Sequence, residues 1–310
     1  MKLKCFNVLL LDYNRSRCMQ VDYLIHSSID KEKWDRSILD AENGLIYACS
    51  WFLDCVAPDW DALVSDDYRF VFPVPVKRKY KLPYIVQPAL TQQLGLFGRD
   101  ELSESLLQEF LSRLPSYSYE INLNYLNHHP EAQLKTNYVI PLQPAFTEIQ
   151  AAYSKNTIRN IQKAGKRHYT FTELDPDGFL SVYKKVEHAD KSINIDLISK
   201  LIHTGFEKGH IACCGIKSKE GEIHSALAYG NFRNRITYLF PVSTEAGKKY
   251  SAMFLLVDTL LSIYSTKASF FDFEGAMIEG IARFYKGFGA IQQPYRILKR
   301  LRPSFLVGKL

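Results

Sequence analysis

Apolar positions along this chain repeat with two periods, and the switches between them mark its elements. Over 101–114, Leu102, Leu106, Leu107, Phe110, Leu111 and Leu114 fall one to four apart along one stripe, which predicts a helix. A second helix is expected over 30–41, with Asp30 as its amino cap. Strand-like runs cover 68–77, 82–88, 117–124 and 137–142, the first two split by the basic turn Lys77-Arg78-Lys79-Tyr80-Lys81. Pro141 and Pro144 then set a boundary, giving expected domains 1–145 and 146–310. The second half reads as a helix over 147–166, a strand over 169–174 and helices over 177–188 and 195–208. Three strands at hairpin spacing follow, over 210–217, 224–231 and 235–242. An apolar helix over 250–264, a strand over 269–273, a further helix and a last strand over 294–299 complete the order.

Composition narrows the class. The chain has 310 residues, 46% hydrophobic and 23% charged, enough for a full core in each of two domains. No run approaches the ~18 apolar residues of a membrane span. The apolar run 8–11 is too short for a signal peptide and reads as a strand, so a cytoplasmic protein is expected. Six cysteines, at 5, 18, 49, 55, 213 and 214, form no CxxC pair and have no histidine at ligand spacing, so neither a metal site nor a disulfide frame is expected. Cys213 and Cys214 share a strand and should face opposite ways. Charge is uneven. Residues 1–150 carry 15 Lys+Arg against 19 Asp+Glu, a net −4, and residues 151–310 carry 24 against 14, a net +10. The basic half suits a phosphate-bearing ligand, a nucleotide or a nucleic acid.

The chemistry concentrates in FDFEGAMIEGIARFYKGFGA, residues 271–290. A strand ending on Asp272, Glu274 and Gly275 offers carboxylates beside a glycine where another molecule can come close. Lys286 is expected after the helix, folded back over the same sheet edge, where a lysine supports a developing oxyanion or holds a phosphate. The same acids also fit plain helix caps, and the lysine a solvated surface.

A three-strand meander leading to a helix and a parallel return strand is the layout of the GNAT acyltransferase fold. The chain resembles the FemAB-like branch of that superfamily, which carries two GNAT-like domains in tandem. SKNTIRNIQKAGK (154–166), STEAGKKYSAMFLLVDTLL (243–261) and the FDFEG…FYKGFGA signature carry the resemblance. Over 1–145 it rests on element order and on PVPVKRKYKLPYIVQPALTQQLG. The implied fold is α/β (α+β), each domain a mixed, mostly antiparallel sheet flanked by helices. The implied activity is transfer of an acyl or aminoacyl group to an amine acceptor, often from aminoacyl-tRNA to a peptidoglycan precursor. Lys286 would then support charge on the attacked carbonyl, with Asp272 or Glu274 accepting the amine's proton. No tightly bound cofactor is implied; aminoacyl-tRNA or acyl-CoA would be the co-substrate.

Two basic segments complete the candidate site. Lys155, Arg159, Lys163 and Lys166 recur on one helix face and suit the phosphates of a nucleotide-linked acceptor or of tRNA, or else a solvated face. Gly247, Lys248, Lys249, Tyr250 and Ser251 stand where an acyl-CoA enzyme of this fold carries its pyrophosphate loop, though the Gln/Arg-x-x-Gly-x-Gly/Ala pattern is missing. Read as a strand-to-helix turn, those two lysines would oppose the helix dipole unless an anion binds. Gln92 and Gln93, with Gln87, would line the acceptor cleft, and an equally simple role is to satisfy loop backbone. An ordinary acyl-CoA N-acetyltransferase and a non-catalytic nucleotide-sugar or RNA-binding protein are the rival functions.

Overall fold

The computed structural model describes residues 19–79, 82–115, 118–186, 194–275 and 278–300. The strand expected over 8–11, Cys5, Cys18 and the tip of the turn at Tyr80 and Lys81 lie outside them. Three sheets form. The largest has seven strands in the order Thr170–Leu174, Ile211–Lys217, Ile223–Phe232, Arg235–Ser243, Phe270–Asp272, Tyr138–Pro141 and Ile291–Gln292. All its pairs are antiparallel except Arg235–Ser243 with Phe270–Asp272. A five-stranded sheet runs Val76–Lys79, Leu82–Val86, Tyr119–Leu123, Tyr295–Arg300 and Gln133–Lys135, and a four-stranded one Val21–Leu24, Asp61–Ser65, Phe70–Val74 and Phe97–Gly98. Mixed, mostly antiparallel sheets flanked by helices are the expected fold class.

The two halves exchange strands. Tyr138–Pro141, before the expected boundary, sits between two strands of the carboxyl half. Tyr295–Arg300, near the chain's end, pairs with Tyr119–Leu123 and Gln133–Lys135 of the amino half. One face of the seven-stranded sheet joins a core shared by both halves, with Trp34, Tyr47 and Phe52 packed in one cluster with Phe179, Ile202, Cys213 and Ala228. The other face packs on the helix Ala252–Tyr264 through Leu256, Val257, Leu260 and Leu261. Cys213 belongs to the first core and Cys214 to the second, as strand alternation requires.

Local chemistry explains where the elements differ from expectation. The strand expected over 68–77 is two, Phe70–Val74 and Val76–Lys79, in different sheets. Pro75 lies at the break and has no N–H to continue a ladder. The helix expected over 147–166 is also two, Phe146–Ala151 and Lys155–Gly165, because the Ser154 side chain caps Thr157 N and starts a new helix. The apolar helix is preceded by a short one, Glu245–Tyr250, and Ser251 between them is left-handed at φ 62°. Asp30 caps Lys31–Asp40 as expected, accepting from Glu32 N and Lys33 N. Among the described residues, no helix is long and apolar enough to cross a membrane.

Leu298, 1% exposed on the returning strand, fills the amino-half core beside Phe110 and Ile121. Leu298→Ala should destabilise the protein by about 2–5 kcal/mol through the cavity it leaves. A urea unfolding midpoint close to wild type would show that this strand carries little of the fold.

Candidate active site

Alternation along Phe270–Asp272 and the residues after it sorts the side chains by face. Phe271 and Phe273 turn into the helix-covered core, and both are fully buried. Asp272 turns the other way, toward the amino half. Its Oδ2 accepts from Arg235 Nη1 at 2.5 Å, and its Oδ1 from Asn137 Nδ2 at 3.0 Å and Glu274 N at 2.9 Å. Arg235 is itself buried, with its guanidinium 5.1 Å from the Tyr125 ring centroid and 5.0 Å from that of Phe270. Its Nη2 donates to Gln293 Oε1 at 3.0 Å. Asp272 is therefore a buried, fully engaged ion-pair partner, and it offers no oxygen at a surface.

Glu274 differs. It is partly exposed, adopts a left-handed backbone at φ 63°, and precedes the exposed Gly275. A non-glycine residue there carries strain that surrounding contacts must hold. Those contacts are its amide on Asp272, its carbonyl accepting from Tyr138 N at 3.3 Å, and the Tyr47 hydroxyl donating to Oε1. Burial pushes its carboxyl up to about 8, the Tyr47 hydrogen bond opposes that rise, and the Asp272 charge adds to it. A carboxyl in that range exchanges a proton near neutral pH.

Gln92 borders the same rim. A Cβ built on Gly275 would come within 3.4 Å of Gln92 Nε2 and 3.2 Å of Thr136 O. Gln92 Nε2 donates to Asn137 Oδ1 at 3.2 Å, and Gln93 Nε2 to Gln92 Oε1 at 2.7 Å. Gln93 is fully buried and its Oε1 accepts from Tyr125 N at 3.0 Å. Of the two glutamines, Gln92 stands at the opening and Gln93 fixes it from behind. A continuous polar chain thus runs Gln93, Gln92, Asn137, Asp272, Arg235, Gln293.

Lys286 stands apart from this chain. It lies in the last turn of the helix Glu279–Gly287 rather than after it, and it is exposed. The neighbouring Phe284, Tyr285 and Phe288 pack into the aromatic core, with Tyr285 stacked on Phe273 at 4.4 Å. That packing turns Lys286 outward, where its Nζ sits 5.6 Å from the Tyr138 ring centroid. Tyr138 also donates its N–H to Glu274 O, so the lysine stands beside a residue that adjoins Glu274. Among the described residues Lys286 forms no ion pair, and the structure does not bring it against Asp272 or Glu274.

The two basic segments meet at one seam. Lys155, Arg159, Lys163 and Lys166 are all exposed and enter no ion pair among the described residues, and Arg159 donates only to Asn156 at 3.4 Å. Lys248 and Lys249 occupy the last turn of Glu245–Tyr250, where cations favour the helix dipole instead of opposing it. Lys248 also pairs with Glu245 at 2.8 Å, so the expected cost relieved by an anion is absent at this point. Arg167 lies 3.9 Å and Lys249 5.3 Å from the Tyr250 ring centroid. Ser251 Oγ donates to Asn160 Oδ1 at 2.8 Å and ties the helix break to the basic helix. Gly247 is required by packing, since a Cβ there would fall 1.9 Å from His224 O.

Sequence reasoning missed Tyr47, Asn137, Arg235 and Gln293. Tyr47 lies in an apolar run, GLIYACSW, that reads as ordinary core. Arg235 opens a strand whose next residues are apolar, a position that looks like a turn charge.

No protein-family model matches the chain, and a comparison with curated proteins finds no match. Solved structures do share its architecture. FemX is 11% identical, with a TM-score of 0.69 over 93% of this chain and 100% of that one. The C-terminal domain of a protein described as a lysylphosphatidylglycerol synthetase, from Agrobacterium fabrum, is 10% identical at TM-score 0.56, over 88% of this chain and 92% of that one. L-PGS from Bacillus licheniformis is 13% identical at TM-score 0.54, over 80% and 86%. The protein therefore shares the fold of FemX and of these two further structures.

The Glu274 proton gives a stability signature. Its folded-state pKa lies above the unfolded value, so the native state holds a proton that the unfolded chain releases. Stability from this group is present below about pH 4.5 and is lost as pH rises through about 8. At ~1.4 kcal/mol per pKa unit the full shift corresponds to about 5 kcal/mol, and the partial exposure of Glu274 screens the loss below that. Glu274→Gln should flatten that fall; parallel wild-type and variant curves from pH 5 to 9 would refute the shifted carboxyl.

Proposed function

We propose that this protein transfers an acyl or aminoacyl group to an amine acceptor at the rim formed by Glu274, Gly275 and Gln92. The observation that carries the reading is Glu274, a strained, partly exposed residue beside an exposed glycine, its carboxyl pushed up to about 8 by burial. That value matches an α-amino group, whose ordinary pKa is about 7.7–8, so proton transfer between them is nearly balanced. The amine nitrogen attacks the donor carbonyl carbon and a C–N bond forms. The amine's proton passes to the Glu274 carboxylate, the carbon–oxygen or carbon–sulfur bond to the leaving group breaks, and the Glu274 carboxyl returns that proton to the leaving oxygen or sulfur. Asp272 holds the Glu274 amide and takes no proton. Lys286, exposed and mobile on its four-carbon stem, supplies the cation for the developing oxyanion, as the FemAB-like resemblance implies.

Lys155, Arg159 and Lys163, with Gln92 and Gln93, serve a phosphate-bearing acceptor; Gly247 to Ser251 with Arg167 border the donor. Two features favour an aminoacyl donor over acyl-CoA. Where Arg235–Ser243 and Phe270–Asp272 part after Thr237↔Asp272, the rings of Tyr238 and Phe273 pack edge to face at 5.5 Å and occupy the gap. In the 245–250 segment Gly247 N donates to the Thr244 hydroxyl and Lys248 N to the Thr244 carbonyl, so two of the amides that a pyrophosphate would use are already taken. Among the described residues Lys286 pairs with neither acid, which favours the rival reading, a protein of this fold that binds a nucleotide-linked ligand without catalysis.

Transfer from aminoacyl-tRNA to a nucleotide-linked muramyl peptide, with acetyl-CoA as the competing donor, separates these readings. Glu274→Gln should cut kcat by about 10²–10⁴ with the acceptor KM little changed. Wild-type protein that binds the acceptor yet transfers nothing would leave only the binding role. Lys286→Ala should lower kcat by about 10²–10³. Full turnover in that variant would remove the lysine from the mechanism. Neutralising Arg159 and Lys163 together should instead raise the acceptor KM and weaken its salt dependence, and unaltered binding would return the stripe to solvent.

A further inference from the structure

We propose that Tyr47 is a positioning residue of the transfer reaction, its hydroxyl anchoring one oxygen of Glu274 from the amino half so that the other meets the acceptor amine at the Gly275 rim. The inference rests on the reading of Glu274 as proton acceptor. Tyr47 lies in the short turn Ile46–Ala48, 227 residues away in sequence, and is 1% exposed. Its ring meets Phe52 edge to face at 5.6 Å. The turn is seated on the central sheet, because Gly230 has no side chain where Ile46 approaches; a Cβ there would lie 2.9 Å from Ile46 Cδ1. The hydroxyl therefore has little freedom when it donates to Glu274 Oε1.

Glu274 is held by both halves of the chain. Its amide and carbonyl are fixed by Asp272 and Tyr138 in the seven-stranded sheet, and its carboxyl is fixed by Tyr47. No hydrogen bond from a described residue engages Oε2, and in this proposal that oxygen takes the substrate's proton. Other charged or titratable groups face the carboxyl from neighbouring elements. Asp272 acts from its own strand, and the Asp272 partner Arg235 lies next in the chain. Tyr285 from the helix Glu279–Gly287 and Tyr295 from the returning strand feel the Glu274 charge through space. Among the described residues, Tyr47 alone donates a hydrogen bond to the carboxyl. A hydrogen bond to the charged form favours it, so the hydroxyl makes Glu274 ionise more readily than its burial alone would allow. As the amine's proton arrives at Oε2, the Tyr47 bond to Oε1 keeps the carboxyl plane fixed. Tyr47 neither gains nor loses a proton.

Tyr47→Phe keeps the ring and removes the donor. The test follows the Glu274 side-chain carboxyl carbon by ¹³C NMR in glutamate-labelled full-length protein, the signal being assigned by its absence from Glu274→Gln. The midpoint in Tyr47→Phe should move up by roughly one pH unit, the scale of one hydrogen bond to a charged group. In the transfer assay kcat should fall about tenfold at pH 7 without a matching rise in acceptor KM, and recover as pH increases. An unmoved midpoint in folded Tyr47→Phe overturns the proposal. Should that variant fail to fold, 2,3-difluorotyrosine at position 47 keeps the shape and strengthens the donor; the midpoint should then move down, and no movement overturns the proposal. Failure of the underlying reading looks different. Glu274→Gln would then keep full transfer activity, whatever the titration of Glu274 shows.

Discussion

The buried ion pair between Arg235 and Asp272 is the contact on which the site's geometry depends. Taking both charges out of water costs several kcal/mol each, so the pair persists only because its remaining hydrogen-bonding groups are met by Asn137, Gln293 and the Glu274 amide. It spans the paired stretch of the two parallel strands, from Arg235↔Phe270 to Thr237↔Asp272. Loss of either charge would leave the other buried alone, and the backbone turn that presents Glu274 would lose its anchor.

Strand exchange makes that anchor a junction between halves. Asn137 precedes a strand inserted from the amino half, and Gln293 precedes the strand that returns to it. Gln92 and Gln93 reach the same chain from the loop after Leu82–Val86, so polar groups from four separate segments converge on one carboxylate. Fully satisfied polar networks of this kind specify one arrangement, because any slip leaves a buried group unpaired. The result is a rigid wall behind an open rim, a suitable support for a reacting group.

Alternation along one short strand divides packing from chemistry. Phe271 and Phe273 join Tyr238 and Tyr285 in an aromatic core, and Asp272 and Glu274 face the amino half. The same packing fixes the helix Glu279–Gly287 and turns Lys286 to solvent beside Tyr138. Cations on the surface then follow local rules: Lys248 and Lys249 favour the end of a short helix, and the Lys155–Lys163 row stays free of ion pairs among the described residues.

Much of this was legible in the residues alone. Hydrophobic period fixed the meander, the helices near 104–112 and 195–207, and the opposite facing of Cys213 and Cys214, since these depend on neighbours along the chain. The acids at 272 and 274 and the glycine after them marked the site for the same reason. Tertiary structure decided what each acid does. Asp272 and Glu274 are two residues apart and chemically alike, yet one meets a buried arginine and the other a tyrosine 227 positions away. Such partners come from strand exchange and packing between halves, long-range contacts that leave no period in the sequence. The placement of Lys286 was decided in the same way, by which face of its helix the aromatic core claimed.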